Sequence, residues 1–182
     1  MHPPMMVTVV ILTFLKSARD PMVPGPFHLP KQVVYFSDPA GQYKNRQNFA
    51  NLSLHKEDHQ TQAEWHFFAT SHGKGPCDGV GGTLKRLASR ASLQRTTQDQ
   101  IQTPLQLSEW AKSNLPGITT VFCSKQDIAK HEEKLKDRFD SSITIAGTQK
   151  LHAFYPAEEP EKLIVKRFSN STASSRVRVL RK

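Results

Sequence analysis

The stretch from Trp65 to Leu87 constrains this chain most. An aromatic run, Trp65-His66-Phe67-Phe68, leads into a glycine-rich segment and then into a basic, apolar-periodic helix. Gly73, Gly75, Gly79, Gly81 and Gly82 fall within ten residues, more than a simple surface turn needs. Glycine lets the backbone approach a ligand closely. A strand–loop–helix layout of this kind presents backbone N–H groups to phosphate-bearing ligands. A flexible linker is the plain alternative, but linkers are rarely flanked by an aromatic strand on one side and a periodic helix on the other. Within the segment His72, Lys74 and Asp78 supply a ring nitrogen, a cation and a carboxylate.

Upstream, Met6 to Leu15 is apolar and β-branched, which predicts a strand or a short core helix. At about ten residues it is well short of the roughly 20 that span a bilayer. It lacks the basic leader and small-residue cleavage site of a secretion signal. Pro21, Pro24, Gly25, Pro26 and Pro30 then mark an extended connector. Lys31 to Ser37 reads as a buried strand ending at Asp38. Tyr43, Phe49, Leu52 and Leu54 give the segment Gln42 to His59 one apolar helical face. A second strand is expected over Ala63 to Ala69. The helix after the glycines is expected to bury Leu84, Leu87, Ala88, Ala91 and Leu93 and to expose Lys85, Arg86, Arg90 and Arg95.

Strand, helix, strand, helix implies a parallel α/β sheet. Past Gln94 the pattern changes to that of a small α+β appendage. Thr103-Pro104 predicts an N-cap with proline at the first helical position. Ser124 and Asp127 resemble a capping box with Asp in place of Glu. Strands are expected at Ile118 to Cys123, Ile143 to Ile145, Leu151 to Tyr155 and Leu163 to Phe168. From Ser169 the Ser/Thr-rich run with Arg176, Arg178, Arg181 and Lys182 predicts a disordered basic tail that adds affinity for polyanions. The expected organisation is therefore an N-terminal apolar segment and connector over 1–30, a core over 31–95, the appendage over 96–168 and the tail over 169–182.

Charge supplies the expected partner. A formal net charge of +9 and a pI near 9.7 favour a polyanion, with nucleic acid ahead of an acidic membrane surface. Two cysteines, Cys77 and Cys123, stand far apart in unlike contexts. That pattern fits neither a disulfide framework nor a CxxC metal site, and it suits a reducing compartment, nuclear or cytoplasmic rather than secreted.

Chemistry, if present, centres on two carboxylates. Asp38 closes a strand, where α/β sheets commonly hold ligand groups, and Asp78 follows the glycines. Converging, they would hold Mg²⁺ or Mn²⁺, hard cations that take oxygen ligands in phosphoryl chemistry. His72 would donate to a phosphate or a metal-bound water, and Lys74 would neutralise the substrate backbone. Each also has a plain reading: Asp38 before Pro39 starts turns, and Asp78 caps a helix.

Tyr35-Phe36-Ser37-Asp38, then Gln42-Tyr43-Lys44-Asn45, then His66 to Gly79 with Gly81-Gly82 and Lys85-Arg86, together resemble a family of transposon-derived proteins widespread in animal genomes. The resemblance is dense over residues 31–95 and thinner over 100–168. It implies an RNase H-like transposase or integrase core in which an acidic triad chelates two divalent ions. Asp38 would be the second acid and Asp78 the third. The first is expected on an earlier strand, yet Asp20, in the proline-rich connector, is the sole acid before Asp38. The family pattern also leads one to expect Gly after the second acid, where Pro39 stands here with fixed φ and no N–H.

The expectation is a partial RNase H-like parallel sheet with helices and a small appendage. It would be an inactive remnant of a metal-dependent strand-transferase or nuclease that binds nucleic acid, DNA rather than RNA, and no membrane. A longer chain or a partner would supply the missing strands. Lys44, Arg46, Lys74, Lys85 and Arg86 would contact phosphates. The rival reading is a basic phosphate- or nucleotide-binding α/β module that uses the glycine loop 73–82 without a metal. The loop's order matches neither a P-loop nor a dinucleotide fingerprint.

Overall fold

A computed structural model of the chain describes residues 9–12, 31–68 and 76–181. Along the chain the elements are β1 (Val9–Leu12), β2 (Gln32–Ser37), α1 (Arg46–Ser53), α2 (His55–His59), β3 (Gln62–Phe67), α3 (Pro76–Leu93), α4 (Pro104–Asn114), β4 (Thr119–Phe122), α5 (Lys125–Lys134), α6 (Lys136–Ser141), β5 (Ala153–Pro156), β6 (Lys162–Lys166) and β7 (Ser175–Arg178). These sort into two compact units. One holds the described residues of 24–73 and 134–182, the other those of 1–23 and 74–133.

The first unit is built on a five-stranded sheet of order β2-β3-β5-β6-β7. β2 and β3 run parallel, in register from Gln32 opposite Gln62 to Ser37 opposite Phe67. Every other pairing is antiparallel. Ala157 to Glu161 is too short to cross over, so it can only turn β5 back on β6 as a hairpin. Alternation sets the faces, because residues directly opposed across a ladder share one. Trp65 opposes Phe154, Phe154 opposes Val165, and Leu163 opposes Val177. These residues, with Ala63 and Phe67, form the face that packs on Phe49 and Leu52 of α1 and on Ile145, Val179 and Leu180. Phe49 stacks on Phe154 at 4.4 Å between centroids and meets Phe67 edge-on at 6.3 Å.

Polar contacts close this unit's edges. Arg138 of α6 grips Asp58 of α2 through two hydrogen bonds, 2.6 and 2.9 Å, and also donates to Asn51 of α1 at 3.1 Å. His55 is buried between Tyr35 and Thr61. The Thr61 carbonyl only accepts, so in the neutral ring Nδ1 carries the proton and Nε2 accepts from the Tyr35 hydroxyl.

The second unit pairs β1 with β4 antiparallel, Val9 opposite Phe122. Its buried side chains among the described residues are Leu84 and Ala88 of α3, Ser108 and Ala111 of α4, and Thr120 of β4. The Thr120 hydroxyl donates to the Ser108 carbonyl at 3.2 Å, which satisfies a polar group inside. Both expected caps form. Thr103 and Gln106 make a full capping box with Pro104 at the first turn of α4. Ser124 Oγ accepts from the Asp127 N–H while Asp127 Oδ2 accepts from the Ser124 N–H.

The structure is mixed α/β, as the sequence implies, and it corrects that reading in several places. The sheet is not parallel throughout: the β2/β3 pair is its parallel part and the rest is antiparallel. β5 and β6, read as part of an appendage, extend the sheet begun by β2 and β3, and the division at residue 95 coincides with no break between the two units. The expected disordered tail is ordered over its described residues. β7 pairs with β6, Val179 and Leu180 are buried, and Ser142 bridges to Leu180. Strand pairing with β6 and the burial of Val179 and Leu180 together fasten a segment whose composition reads as disordered. β2 is not buried. Val34, Tyr35 and Phe36 are exposed by 44%, 37% and 61% because β2 has one neighbour among the described strands. The single helix expected over 42–59 breaks at Leu54 into α1 and α2, and Leu93 is 80% exposed. No strand forms at Ile143 to Ile145, although Ile145 is buried.

Candidate functional site

The expected site residues divide between the two units. Asp38 lies just past the C-terminal end of β2 and is exposed. Asp78 sits in the first turn of α3, also exposed, in the other unit. A carboxylate there complements the positive helix N-terminus. Neither unit by itself contains both acids. Among the described residues no group of three or more His, Cys, Asp or Glu is placed to hold a metal ion. His72 and Lys74 lie outside the described residues.

The segment after Asp38 has a clear structural logic. The backbone N–H groups of Tyr43 and Lys44 both donate to the Ala40 carbonyl, forming a turn. Asn45 is the N-cap of α1, its side chain accepting from the Asn48 N–H at 2.9 Å and donating to the Gly41 and Gln42 carbonyls. Asn48 donates in turn to Gln42 and Tyr43. Gln42 to Asn45 therefore builds a helix entry.

Lys44 corrects an expectation. Its side chain is buried, its ammonium 5.0 Å from the centre of the Phe67 ring and without a hydrogen-bond partner among the described residues. Burial pushes its pKa below the usual lysine value. In this position it is out of reach of a phosphate. Arg46, on the first turn of α1, is exposed.

The glycine loop expected over 73–82 is corrected in its described part, while Gly73 and Gly75 lie outside the described residues. α3 begins at Pro76, so Gly79, Gly81 and Gly82 are helical, and a Cβ at any of the three would meet nothing within 4 Å. Helical backbone spends its N–H groups internally beyond the first turn, so these glycines cannot cradle a phosphate. Leu84 and Ala88 face inward while Lys85, Arg86 and Arg90 are exposed. From residue 79 to 98 the chain carries four Lys or Arg and no Asp or Glu. Lys85 also stands on the rim of a groove of about 640 Å³ between α3 and α4, lined by Ala88, Leu93, Ile101, Pro104 and Leu107.

The reading from sequence alone missed the second face of the five-stranded sheet. Phe36 opposes His66, His66 opposes Ala153, Ala153 opposes Lys166, and Ile164 opposes Arg176. Of the residues on this face only the small Ala153 is buried. His66 Nε2 lies 3.4 Å from Glu64 Oε1. Burial, with Glu64 nearby, raises the Tyr155 hydroxyl above the usual tyrosine pKa. The signal was present in the Lys162-Leu-Ile-Val-Lys166 alternation, but a strand's partners cannot be read from its own period.

A family model described as a domain of unknown function, DUF8701, matches residues 7–169. The chain belongs to that family. No curated protein and no solved structure matches it. The DUF8701 match covers both units and stops short of β7. Among the described residues, no helix is long and apolar enough to cross a membrane.

Proposed function

We propose that this DUF8701 member is a nucleic-acid-binding protein of transposon-derived, RNase H-like ancestry that binds rather than cuts. The observation that carries the reading is α3, whose Lys85, Arg86 and Arg90 stand exposed on a helix anchored by Leu84 and Ala88, with no acid between residues 79 and 98. Cations held this way on a rigid element neutralise backbone phosphates without reading sequence. The kinship rests on the motifs over 31–95. Consistent with it are a parallel strand pair and an acid at the end of one member. Pro39, beside Asp38, takes away an N–H donor and backbone freedom, both of which a metal-binding loop there would use.

The test is fluorescence anisotropy with a 20-base-pair DNA at 50 and 200 mM salt. Replacing Lys85, Arg86 and Arg90 with Gln should weaken binding and lower the slope of log affinity against log salt by about 2–3. Mg²⁺ should not strengthen binding relative to EDTA, and as a competing counterion should if anything weaken it. Nuclease or strand-transfer activity in Mg²⁺ or Mn²⁺ should not exceed that of Asp38→Asn or Asp78→Asn. Metal-dependent cleavage abolished by either substitution would refute the binding-only reading.

A further inference from the structure

We infer that the open face of the five-stranded sheet is a platform for single-stranded nucleic acid, on which bases stack against Phe36 and Tyr155, with the His66 ring packed between them, while Lys166 and the β7 arginines meet phosphates. This rests on the proposed nucleic-acid function and gives it a second surface and a strand preference.

The face carries a continuous aromatic ladder. Phe36 of β2 stacks on His66 of β3 at 5.2 Å and on Phe68 at 6.1 Å, and His66 meets Tyr155 of β5 edge-on at 5.6 Å. Lys166 Nζ lies 5.6 Å from the Tyr155 ring centre and pairs with no carboxylate among the described residues. The opposite face of the same sheet is closed by α1. Here Phe36, on the edge strand, remains 61% exposed, and its ring contacts with His66 and Phe68 make it part of an aromatic patch rather than a lone surface residue. β2 and β5 are two strand spacings apart, about 10 Å, which suits two or three splayed bases.

Charge selects the ligand. Residues 162–181 contain six Lys or Arg and no Asp or Glu. Arg176 and Arg178 lie 3.6 Å from Glu159 and 3.7 Å from Glu161, longer than hydrogen bonds, so a phosphate can replace either partner. Lys162 is held closer, 3.0 Å from Glu159. A duplex keeps its base faces inside its own stack and cannot use the ladder. An acidic peptide would use the cations and leave Phe36 uncovered. Single strands satisfy both, since every base has a π-face.

The experiment compares a labelled 20-nucleotide oligo(dT) with a 20-base-pair duplex on the full chain, with circular dichroism to show that each variant folds. Phe36→Ala should weaken oligo(dT) binding about tenfold and leave duplex binding unchanged. Phe36→Tyr should restore it. Lys166→Gln should weaken oligo(dT) binding by a smaller factor. If the wild type binds both probes and Phe36→Ala alters neither, the platform is wrong and the proposed function stands. Equal displacement of oligo(dT) by polyglutamate would also overturn it, since charge alone would then explain binding. Binding to neither probe at 50 mM salt would remove the proposed function and the platform together.

Discussion

The sheet unit and the helical unit reach stability by different means. The sheet unit buries large aromatics, Phe49, Phe67 and Phe154, against one another, and locks its helices with the Arg138–Asp58 pair. Among its described residues the helical unit buries Leu84, two alanines, a serine and a threonine, and capping boxes open α4 and α5. Among the described residues the buried aromatics thus fall in the sheet unit, while α3 in the helical unit displays exposed cations. A second difference concerns charge. In the described residues the basic surplus falls mostly in the sheet unit, and its densest run is the segment that forms β6 and β7. The unit that looks most like a scaffold thus also carries the larger electrostatic surface.

The sharpest way to break this comparison is to remove residues 169–182. If β7, Val179 and Leu180 complete the sheet unit, the truncated chain should lose its cooperative urea transition. A merely electrostatic tail would leave the transition intact. Next in size, Phe49→Ala should cost about 3–5 kcal/mol through the lost ring contacts and the cavity left behind. Leu84→Ala in the helical unit should cost about 2 kcal/mol. Equal losses in urea titrations would mean that the units do not differ in packing.

Arg138→Ala should cost about 1–2 kcal/mol, since the pair is charge-assisted and bidentate but not fully buried. Its pH dependence follows from the same bond. The hydrogen bond from Arg138 is the main cause holding the Asp58 carboxyl below its ordinary value. The stability it adds is thus complete above the unfolded value, about pH 3.9, and is lost as pH falls through the lower folded value. Asp58→Asn should flatten that part of an acid titration. The smallest effect expected is a gain. Gly82→Ala, in an open helical position, should raise stability by about 0.5–1 kcal/mol.

Local features were legible in the sequence because they are decided within a few residues. Thr103 with Pro104, Ser124 with Asp127, and the inward Leu84 and Ala88 of α3 all follow from one turn of chain. Strand partners were not, because β3 meets β5 across some ninety residues and nothing in Trp65-His66-Phe67-Phe68 names Ala153 as a neighbour. The same limit explains Lys44. Its charge reads as surface, yet the turn at Ala40 carries it over Phe67. Glycines 79, 81 and 82 read as a loop because glycine disfavours helix, and the neighbouring Leu84 and Ala88 contacts outweigh that preference. As for the site, the basic row on α3 was visible in advance, and the aromatic face of the sheet was not.

The central claim is that exposed cations bind nucleic acid through its phosphates. Anisotropy of a labelled 20-nucleotide strand, titrated with the full chain from 50 to 300 mM salt, tests it directly. Log affinity should fall linearly with log salt concentration at a slope of about −3 or steeper, corresponding to about four or more phosphate contacts. A flat line, or no binding of either this strand or the 20-base-pair duplex at 50 mM salt, would contradict it.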